Sequence, residues 1–350
     1  MLTLQDQDTT ATRNEFLFHA PPCASAILKD QRDEPVLSLL FNLALFLLCG
    51  VPLVCHMQRH IIGALYFVAL FTLFFERFVL ALHFSTHRRI ARSSVLNAIP
   101  EYIVAPFLGI PAGMYALHHI MIHHTHGNAT PWDITSTEIY QRDRIGQVLL
   151  YCFRFMALSV VEIPLNFYLQ HQIWACAKST ALILANFGLL AWLLHWYTVP
   201  ALWIFGAPML VAPILLSFGN YCQHIFVDPR QPESPFGMTY CLVNTRSNQR
   251  GFNDGYHTEH HINSLCHWSD LPARFHARVQ EYKERDALVF HGDVTFFDIG
   301  LWVLTGNYDR LYDTLVQFEE PRLNRSEVKI KLQDRLRPIH RWKCGSLVHS

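Results

Sequence analysis

Charged residues are scarce in this chain of 350 residues. Asp, Glu, Lys and Arg together make up 16% of it, whereas a typical soluble domain has about 25%. Apolar residues reach 51%, so the composition favours an integral membrane protein. An excess of basic residues is also absent, because the 28 Lys and Arg balance the 28 Asp and Glu. We therefore expect no nucleic-acid partner.

Cysteine pairs with the spacing of a metal knuckle are missing. The nine cysteines are scattered and no two form a CxxC pair, so neither a disulfide framework nor a zinc knuckle is expected. An HExxH sequence is absent as well, which argues against a zinc metalloprotease. The first 34 residues are polar and contain no signal peptide. We interpret residues 1–34 as a cytosolic N-terminal tail.

Apolar runs of membrane-spanning length are present. Crossing about 30 Å of hydrocarbon takes roughly 20 helical residues, and four runs approach or exceed that length: 35–55, 61–82, 180–197 and 200–218. A short turn joins the first two, and Thr198-Val199-Pro200 is the only hinge between the last two. The sequence therefore predicts two antiparallel transmembrane hairpins.

Two further apolar stretches are interrupted. Residues 99–115 contain three prolines and two glycines, which break helices, so we expect a re-entrant or interfacial segment. Residues 148–169 contain Arg154, Glu162 and Pro164, and this pattern is typical of an amphipathic helix on the membrane surface. Residues 288–303, interrupted by Asp293 and Asp298, are expected to cover the site or to lie on the membrane.

The distribution of Lys and Arg predicts the orientation of the spans. Three precede the first span, seven lie between the second and third, and sixteen follow the fourth, whereas the two hairpin turns contain Arg59 alone. Basic residues accumulate on the cytosolic side of a membrane. Both termini and the long central loop are therefore predicted to face the cytosol.

Histidine is abundant, with 21 copies, and most of them are clustered. Box 1 is His83 and His87. Box 2 is His119, His123 and His124. Box 3 is His257, His260 and His261, and His224 follows Asn220 by four residues at the end of the fourth span. Every cluster falls on the predicted cytosolic side, although the predicted topology depends on apolar runs and basic residues alone.

The spacing within the boxes suits metal binding. Residues three or four apart on a helix project from one face, so each box directs its imidazoles toward one point. Nine donors exceed what one ion holds, and two ions with open positions would use about that number. Imidazole suits Zn, Cu, Fe or Ni. Of the twelve other histidines, seven lie near the boxes or the ends of apolar runs and are not assigned to the predicted site: His56, His60, His118, His126, His171, His195 and His267.

The three boxes resemble those of the membrane-bound fatty acid desaturase family. That family is marked by HxxxH or HxxxxH, then HxxHH or HxxxHH, then HxxHH, with two apolar hairpins between them. The likeness extends from about residue 35 to residue 275. Asn220 and His224 also match an Asn-x-x-x-His element of stearoyl-CoA desaturases.

By this resemblance the chain is a desaturase that introduces a double bond into a fatty-acyl chain. The resemblance implies two iron ions, O2 as co-substrate and two electrons. It implies that the nine histidines bind the irons and that Asn220 holds one iron through a water molecule. A His-Pro-Gly-Gly haem motif is absent, so the electrons are expected from a separate protein, cytochrome b5 or a ferredoxin.

The expected architecture is an all-α integral membrane protein. Residues 35–220 would form four transmembrane helices in two hairpins, with boxes 1 and 2 in the intervening cytosolic loop. Residues 221–350 would form a cytosolic helical cap that carries box 3 and completes the di-iron site. The expected location is the endoplasmic reticulum in a eukaryote or the plasma membrane in a bacterium.

Other functions remain open at this point. The sequence from Asn220 to His224 is also similar to the Asn-Tyr-x-x-His element of membrane alkane monooxygenases, so a di-iron hydroxylase, acetylenase or ketolase acting on a lipid or hydrocarbon is the alternative. A metal transporter would need polar or broken helices at mid-membrane, and the four runs lack them.

Charged residues outside the boxes are expected to support the site. Ligating imidazoles usually donate their second N–H to a carboxylate or carbonyl. Glu76 is the favoured carboxylate, ahead of Asp133, Asp254 and Glu259. Four arginines are candidates to meet a charged substrate head: Arg88, Arg89, Arg250 and Arg274.

Overall fold

The computed structural model describes residues 18–318 and 320–339. Residues 1–17 of the predicted N-terminal tail and the last residues of the predicted cap lie outside this range. The described part is mostly helical. The first seven helices are α1 (Glu34–Met57), α2 (His60–His87), α3 (Ser94–Leu108), α4 (Met114–His118), α5 (Ile145–Leu169), α6 (Ile173–Trp196) and α7 (Thr198–Gln223).

Five of these helices are long and apolar enough to cross a membrane: α1, α2, α5, α6 and α7. The four predicted runs lie within α1, α2, α6 and α7. The fifth helix, α5, covers the stretch predicted as an amphipathic surface helix, and by length and composition alone it also qualifies as a span. Multi-pass membrane insertion therefore follows from the described helices.

The hairpin turns are short because single residues end the helices. Gln58 adopts a left-handed conformation (φ 48°) after α1, and Arg59 is extended before α2 begins. Between α6 and α7 only Tyr197 is non-helical. The predicted hinge at 198–200 is the first turn of α7, where Pro200 is tolerated because its missing N–H would have no helical partner.

The Pro- and Gly-rich segment after box 1 is a bent helix that packs against α7. Helix α3 changes from α through a π turn (Pro100–Val104) to a 3-10 end (Ala105–Leu108). Gly109 then has a φ of 80°, and a Cβ atom there would lie 2.1 Å from the carbonyl oxygen of Pro208. Glycine is required here both for the left-handed backbone and for the close approach to α7.

The remaining elements follow α7 and surround box 3. They are α8 (Pro235–Met238), β1 (Cys241–Val243), α9 (Arg246–Arg250), α10 (His257–Ile262), α11 (Leu271–Glu284), β2 (Val289–His291), α12 (Phe296–Leu304), α13 (Tyr308–Thr314) and α14 (Arg325–Asp334). The expectation of an all-α protein needs one correction, because β1 and β2 pair in parallel. Both strands are almost wholly buried, so they lack the alternating pattern that marks a strand in sequence.

A buried arginine joins three segments around the site. Arg142 is fully buried, and its guanidinium donates to six backbone carbonyls instead of to a carboxylate: Thr137, Glu138, Tyr140, Ile225, Arg335 and Arg337. Burial lowers the pKa of Arg142 to about 10, which still leaves it charged at neutral pH. The loop after box 2, the residue after His224 and the end of α14 are thereby fixed to one another.

Candidate metal centre

Five histidines meet at one point. His83, His87, His119, His124 and His260 each present a ring nitrogen, and these five nitrogens lie within 4.8 Å of one another. The Nε2 atoms of His83 and His260 are 2.6 Å apart, those of His87 and His119 are 3.0 Å apart, and those of His124 and His260 are 3.1 Å apart. We call this set the five-histidine group.

The other four predicted histidines meet beside it. Ring nitrogens of His123, His224 and His261 lie within 4.8 Å of one another. His257 joins them, because its Nε2 atom is 3.2 Å from that of His261. We call this set the four-histidine group. All nine predicted histidines are thus brought together, and they divide between two adjacent points.

Box 2 contributes to both groups because of its backbone. In an α-helix, residues five apart differ by about 140° around the axis, which would separate His119 from His124. The structure has a π turn over His119–His124, and a π turn bonds residue i to i+5, so residues five apart come closer to the same face. His119 and His124 both enter the five-histidine group, and His123 enters the four-histidine group.

Boxes 1 and 3 follow ordinary helical spacing. His83 and His87 are four residues apart near the end of α2 and share a face. His257 and His261 are four apart on α10 and both enter the four-histidine group, whereas His260 points to the other group. Box 3 therefore connects the two points, as box 2 does.

Two histidines of the four-histidine group are held in a defined tautomer. Nδ1 of His123 lies 2.8 Å from Oδ2 of Asp133, and Nδ1 of His224 lies 3.0 Å from the carbonyl oxygen of Met238. A carbonyl oxygen accepts and cannot donate, so Nδ1 of His224 carries the proton, and an ionised Asp133 imposes the same on His123. The Nε2 lone pairs are left free to bind a metal ion.

Asp133 is itself held in place by the loop after box 2. Its Oδ1 atom accepts from the backbone N–H and hydroxyl of Thr135, at 2.8 and 2.6 Å, and its Oδ2 atom also accepts from the N–H of Asn128. Burial opposes its ionisation, but the nearby His123 and the hydrogen bonds from Thr135 outweigh burial and hold the pKa of Asp133 well below its usual range. The carboxylate stays ionised and orients His123.

Burial also keeps the imidazoles neutral. It lowers the pKa of His257 to about 3 and lowers the pKa of five other histidines outside the helical spans: His119, His124, His224, His260 and His261. A metal ion binds the neutral imidazole. These side chains are therefore available as ligands across the physiological pH range.

The donor set fits two metal ions. Neutral imidazole nitrogens 2.6–3.2 Å apart repel one another unless a cation or a proton lies among them. Nε2 of His224 is buried and has no hydrogen-bond partner among the described residues, as expected for an atom that donates its lone pair to an ion. Imidazole-rich sites of this kind suit iron, copper, nickel or zinc.

Asn220 lies one helical turn before His224 on α7 and lines the central cavity. Its Nδ2 atom donates to Tyr151 Oη at 2.8 Å and to the Thr135 carbonyl at 3.1 Å. Both donor protons are thereby used. The remaining polar atom, Oδ1, can accept a hydrogen bond from a water molecule.

An apolar cavity of ≈ 670 Å³ leads from the membrane helices to the histidines. Phe71, Phe187 and Met209 line one end, and His83, His119 and His257 line the other. Met209 precedes His224 by fifteen residues on α7, which is roughly 22 Å along a helix. The volume lies within the range of small-molecule sites, about 300–1,000 Å³.

The carboxylates play different parts from those expected. Glu76, the favoured candidate, lines the cavity and a smaller polar annex next to it, and Asp133 is the carboxylate that bonds a box histidine. Asp254 Oδ1 is 3.7 Å from His257 Nδ1, and Glu259 accepts from Tyr282 instead. Sequence spacing from box 1 favours Glu76 as the carboxylate that orients a ligand, whereas the fold of the loop after box 2 places Asp133 in that position.

The predicted head-binding arginines are not gathered in one place. Arg250 lines the polar annex together with Arg246. Arg88 binds the buried carboxylate of Asp33 at 2.5 Å, and Arg89 is exposed.

The histidines left out of the predicted site also lie outside both groups: His126 bonds Gln170, and His267 and His118 do not belong to either cluster.

Changing Asp133 to Asn is expected to lower metal affinity. Asparagine keeps the shape of the side chain, but it loses the negative charge and replaces one of the two acceptor oxygens, which bond His123 and Thr135, with an NH2 donor. Removing such an orienting partner costs about 10–100-fold in metal affinity. The check is the metal retained by purified protein against increasing chelator. Asp143→Asn is the matched control, because Asp143 accepts from Gln141 and should leave retention unchanged.

Comparison with known proteins identifies one family. The family model described as Fatty acid desaturase matches residues 59–293, which cover about two thirds of the chain and all three boxes. Comparisons with curated proteins and with solved structures gave no match.

Proposed function

This chain belongs to the fatty acid desaturase family, a family of oxidoreductases, and from that membership and the histidine geometry we propose that it is a membrane fatty acyl desaturase. The proposed reaction removes two hydrogens from neighbouring methylene carbons and forms a double bond. O2, two electrons and two protons complete the balance, and two water molecules are the other product.

The observation that carries this proposal is the division of nine buried histidines into two adjacent groups. We assign one iron to the five-histidine group and one to the four-histidine group, with Asn220 holding a water molecule at the second. When bound, the irons would supply the oxidising power needed to break an unactivated C–H bond with O2. The protein orients the ligands through Asp133 and Met238 and keeps the imidazoles neutral by burial.

The cavity is the proposed site of the acyl chain. Its membrane end is lined by aromatic and aliphatic side chains, among them Phe71 and Met209, whereas Glu76, Ser247 and Thr295 line both the cavity and the polar annex. An extended hydrocarbon with its tail in the membrane end and its head at the annex would pass the histidines. The apolar walls would exclude water from the reacting carbons.

We propose that four helices cross the membrane, not five. His87 ends α2 and His224 follows α7, yet the ring of His124 is 4.3 Å from that of His87, and the ring of His123 is 5.1 Å from that of His224. Three candidate spans lie between the two positions: α5, α6 and α7. An odd number of crossings would place His87 and His224 on opposite membrane faces, so one of the three must not cross.

We propose that α5 is the helix that stays at the surface, and two hydrogen bonds support this proposal. Tyr151, in its second turn, donates to the carbonyl of Thr135 at 2.9 Å. Asn166, near its other end, donates to the carbonyl of Trp132 at 2.8 Å. Because both acceptors belong to the loop after box 2, α5 lies along that loop from end to end. This supports the amphipathic surface helix expected from the sequence.

The remaining assignments follow from this topology. We propose that residues 1–34 are a cytosolic tail, residues 35–220 the transmembrane hairpins with their loop, and residues 221–350 a cytosolic cap. The site would face the cytosol, where a separate donor, cytochrome b5 or a ferredoxin, delivers electrons. The membrane would be the endoplasmic reticulum in a eukaryote and the plasma membrane in a bacterium.

Changing Met209 to Trp is expected to shorten the acyl chains that the protein accepts. Tryptophan fills the membrane end of the cavity. Loss of the space for one methylene group disfavours the longer acyl chain over the shorter one by about tenfold or more. The ratio of long-chain to short-chain products in expressing cells measures this. Leu210→Trp is the matched control, since Leu210 is 62% exposed and does not line the cavity. An equal change of the product ratio in both variants would contradict the assignment of the cavity.

Mass analysis of lipids from yeast that express the chain tests the proposed reaction. A desaturase yields products two hydrogens lighter than the parent acyl chain. A gain of one oxygen would instead assign the protein as a hydroxylase on the same iron core, and unchanged lipids in cells whose purified protein holds iron would overturn the proposed substrate class.

A further inference from the structure

A short N-terminal segment, residues 27–33, pairs with the chain directly after box 1. Leu28 forms an antiparallel bridge with Ala91. The N–H of Lys29 donates to the Ile90 carbonyl at 2.7 Å, and the N–H of Arg92 donates to the Ile27 carbonyl at 2.9 Å. We call residues 27–33 the N-terminal clasp. It precedes residue 59, where the family match begins.

The clasp ends in a buried carboxylate. Asp33 is fully buried and stands at the N-cap position of α1, yet its side chain makes no cap hydrogen bond to that helix. An aspartate in this position usually caps its own helix. A buried charge is costly unless it is paired, so the partners of Asp33 explain why the carboxylate is there.

Those partners come from two distant segments that flank the metal boxes. Arg88, which follows His87 of box 1, binds both carboxylate oxygens at 2.5 Å. His267 Nε2 and Trp268 Nε1 lie 3.1 and 3.3 Å from Oδ1, and His267 follows His261 of box 3 by six residues. One carboxylate therefore joins the chain after box 1 to the chain after box 3.

The tautomer of His267 makes this contact a true hydrogen bond. Its Nδ1 atom lies 3.1 Å from the backbone N–H of Ser269, a group that can only donate. Nδ1 must therefore accept, and Nε2 carries the proton that it donates to Asp33. Arg32 reinforces the same junction through Asp270 at 2.7 Å.

We propose that the N-terminal clasp is a positioning element of the metal centre, in which Asp33 fixes box 1 against box 3. This inference rests on the proposed function, because the two boxes must meet around the irons. His83 and His87 of box 1 share the five-histidine group with His260 of box 3. Releasing the clasp loosens this pair and lets iron escape, while the ligands themselves remain.

Asp33→Asn tests the clasp. Asparagine places an N–H2 donor where one carboxylate oxygen accepts from Arg88, so the ion pair is lost with little change of shape. We expect iron to leave the purified protein about tenfold faster in the presence of a chelator, at the lower end of what loss of an outer orienting contact costs. Asp33→Glu, which restores the charge, should recover part of the retention.

The matched control is Asp286→Asn in the cap. Asp286 pairs with Arg230 at 2.8 Å and Arg335 at 3.0 Å, far from box 1 in sequence, so its loss should lower the melting temperature without accelerating iron release. If Asp33→Asn fails to fold, Arg88→Gln removes the same ion pair from the other side and is measured in the same way.

The outcomes separate the clasp from the proposed function. Faster release in Asp33→Asn or Arg88→Gln, with wild-type release in Asp286→Asn, supports the clasp. Wild-type release in the Asp33 and Arg88 variants overturns the clasp alone, as does equal acceleration in all three. A wild-type protein that binds no iron overturns the proposed function and the clasp together.

Discussion

Changing His260 to Ala is expected to empty the five-histidine group and to lower product formation by more than about a hundredfold. His260 contacts the ring nitrogens of both His83 and His124, so it links the contributions of boxes 1 and 2. Loss of a direct ligand should exceed the 10–100-fold that follows from loss of an orienting partner. Iron per chain, measured by elemental analysis, should fall by about half.

His123→Ala gives the complementary result. His123 belongs to the four-histidine group, so this variant should also lose about half of the iron, but from the other position. His126→Ala is the control, because His126 lies beside box 2 and bonds Gln170. Full iron content in His260→Ala would contradict the assignment of His260 as a ligand, and loss of iron in His126→Ala would show that the measurement reports unfolding.

Changing Arg142 to Met is expected to unfold the cap. Methionine fills a similar volume but cannot donate to the six carbonyls that Arg142 satisfies. Among the described residues, the carbonyls of Thr137, Glu138 and Arg335 also accept backbone N–H groups, so three of the six carbonyls lose their only partner. Each buried carbonyl left without a partner costs about 1–3 kcal/mol, so the total is on the order of 5 kcal/mol. A loss of this size is comparable to the whole stability of a typical domain, about 5–15 kcal/mol.

The measurement for Arg142→Met is the recovery of folded protein after detergent extraction, followed by its melting temperature. Arg337→Met is the matched control, since the Arg337 side chain is 71% exposed and pairs with Asp334 at 3.5 Å on the surface. An exposed pair contributes about 0–1 kcal/mol. Equal recovery of the two variants would contradict the structural role of Arg142.

The site was more predictable from sequence than the fold around it. Histidines recur at helical spacing, so the nine side chains that meet in the structure could be named from residue types and distances along the chain. Their roles as metal ligands and their cytosolic position stay predictions. The division of the nine histidines into groups of five and four could not be predicted from the sequence. It depends on the π turn over His119–His124, which no residue in box 2 signals.

The supporting residues were hard to predict because their contacts depend on tertiary structure. Spacing from His83 favours Glu76, but the fold of the loop after box 2 brings Asp133 to His123, ten residues earlier in the chain. The clasp has no local signal, since Asp33 and Arg88 are 55 residues apart. Arg142 had no signal at all, because its six acceptors are backbone carbonyls and carry no residue identity.

The position of α5 shows what composition can and cannot decide. Its 25 residues are apolar enough to cross a membrane, and Arg154 and Glu162, which suggested a surface helix, pair with each other at 2.9 Å. The ion pair reduces the free-energy cost of placing both side chains in the membrane. Composition alone therefore does not distinguish a surface helix from a membrane span. The hydrogen bonds of Tyr151 and Asn166 to one loop carry the proposal instead.

The most direct test of the central claim is the anomalous scattering of iron in crystals of the purified chain. Two peaks are predicted, one among the five-histidine group and one among the four-histidine group, each about 2.0–2.1 Å from Nε2 atoms, as for other metal–imidazole bonds. A single peak, a zinc signal in place of iron, or peaks away from His260 and His224 would contradict the di-iron assignment.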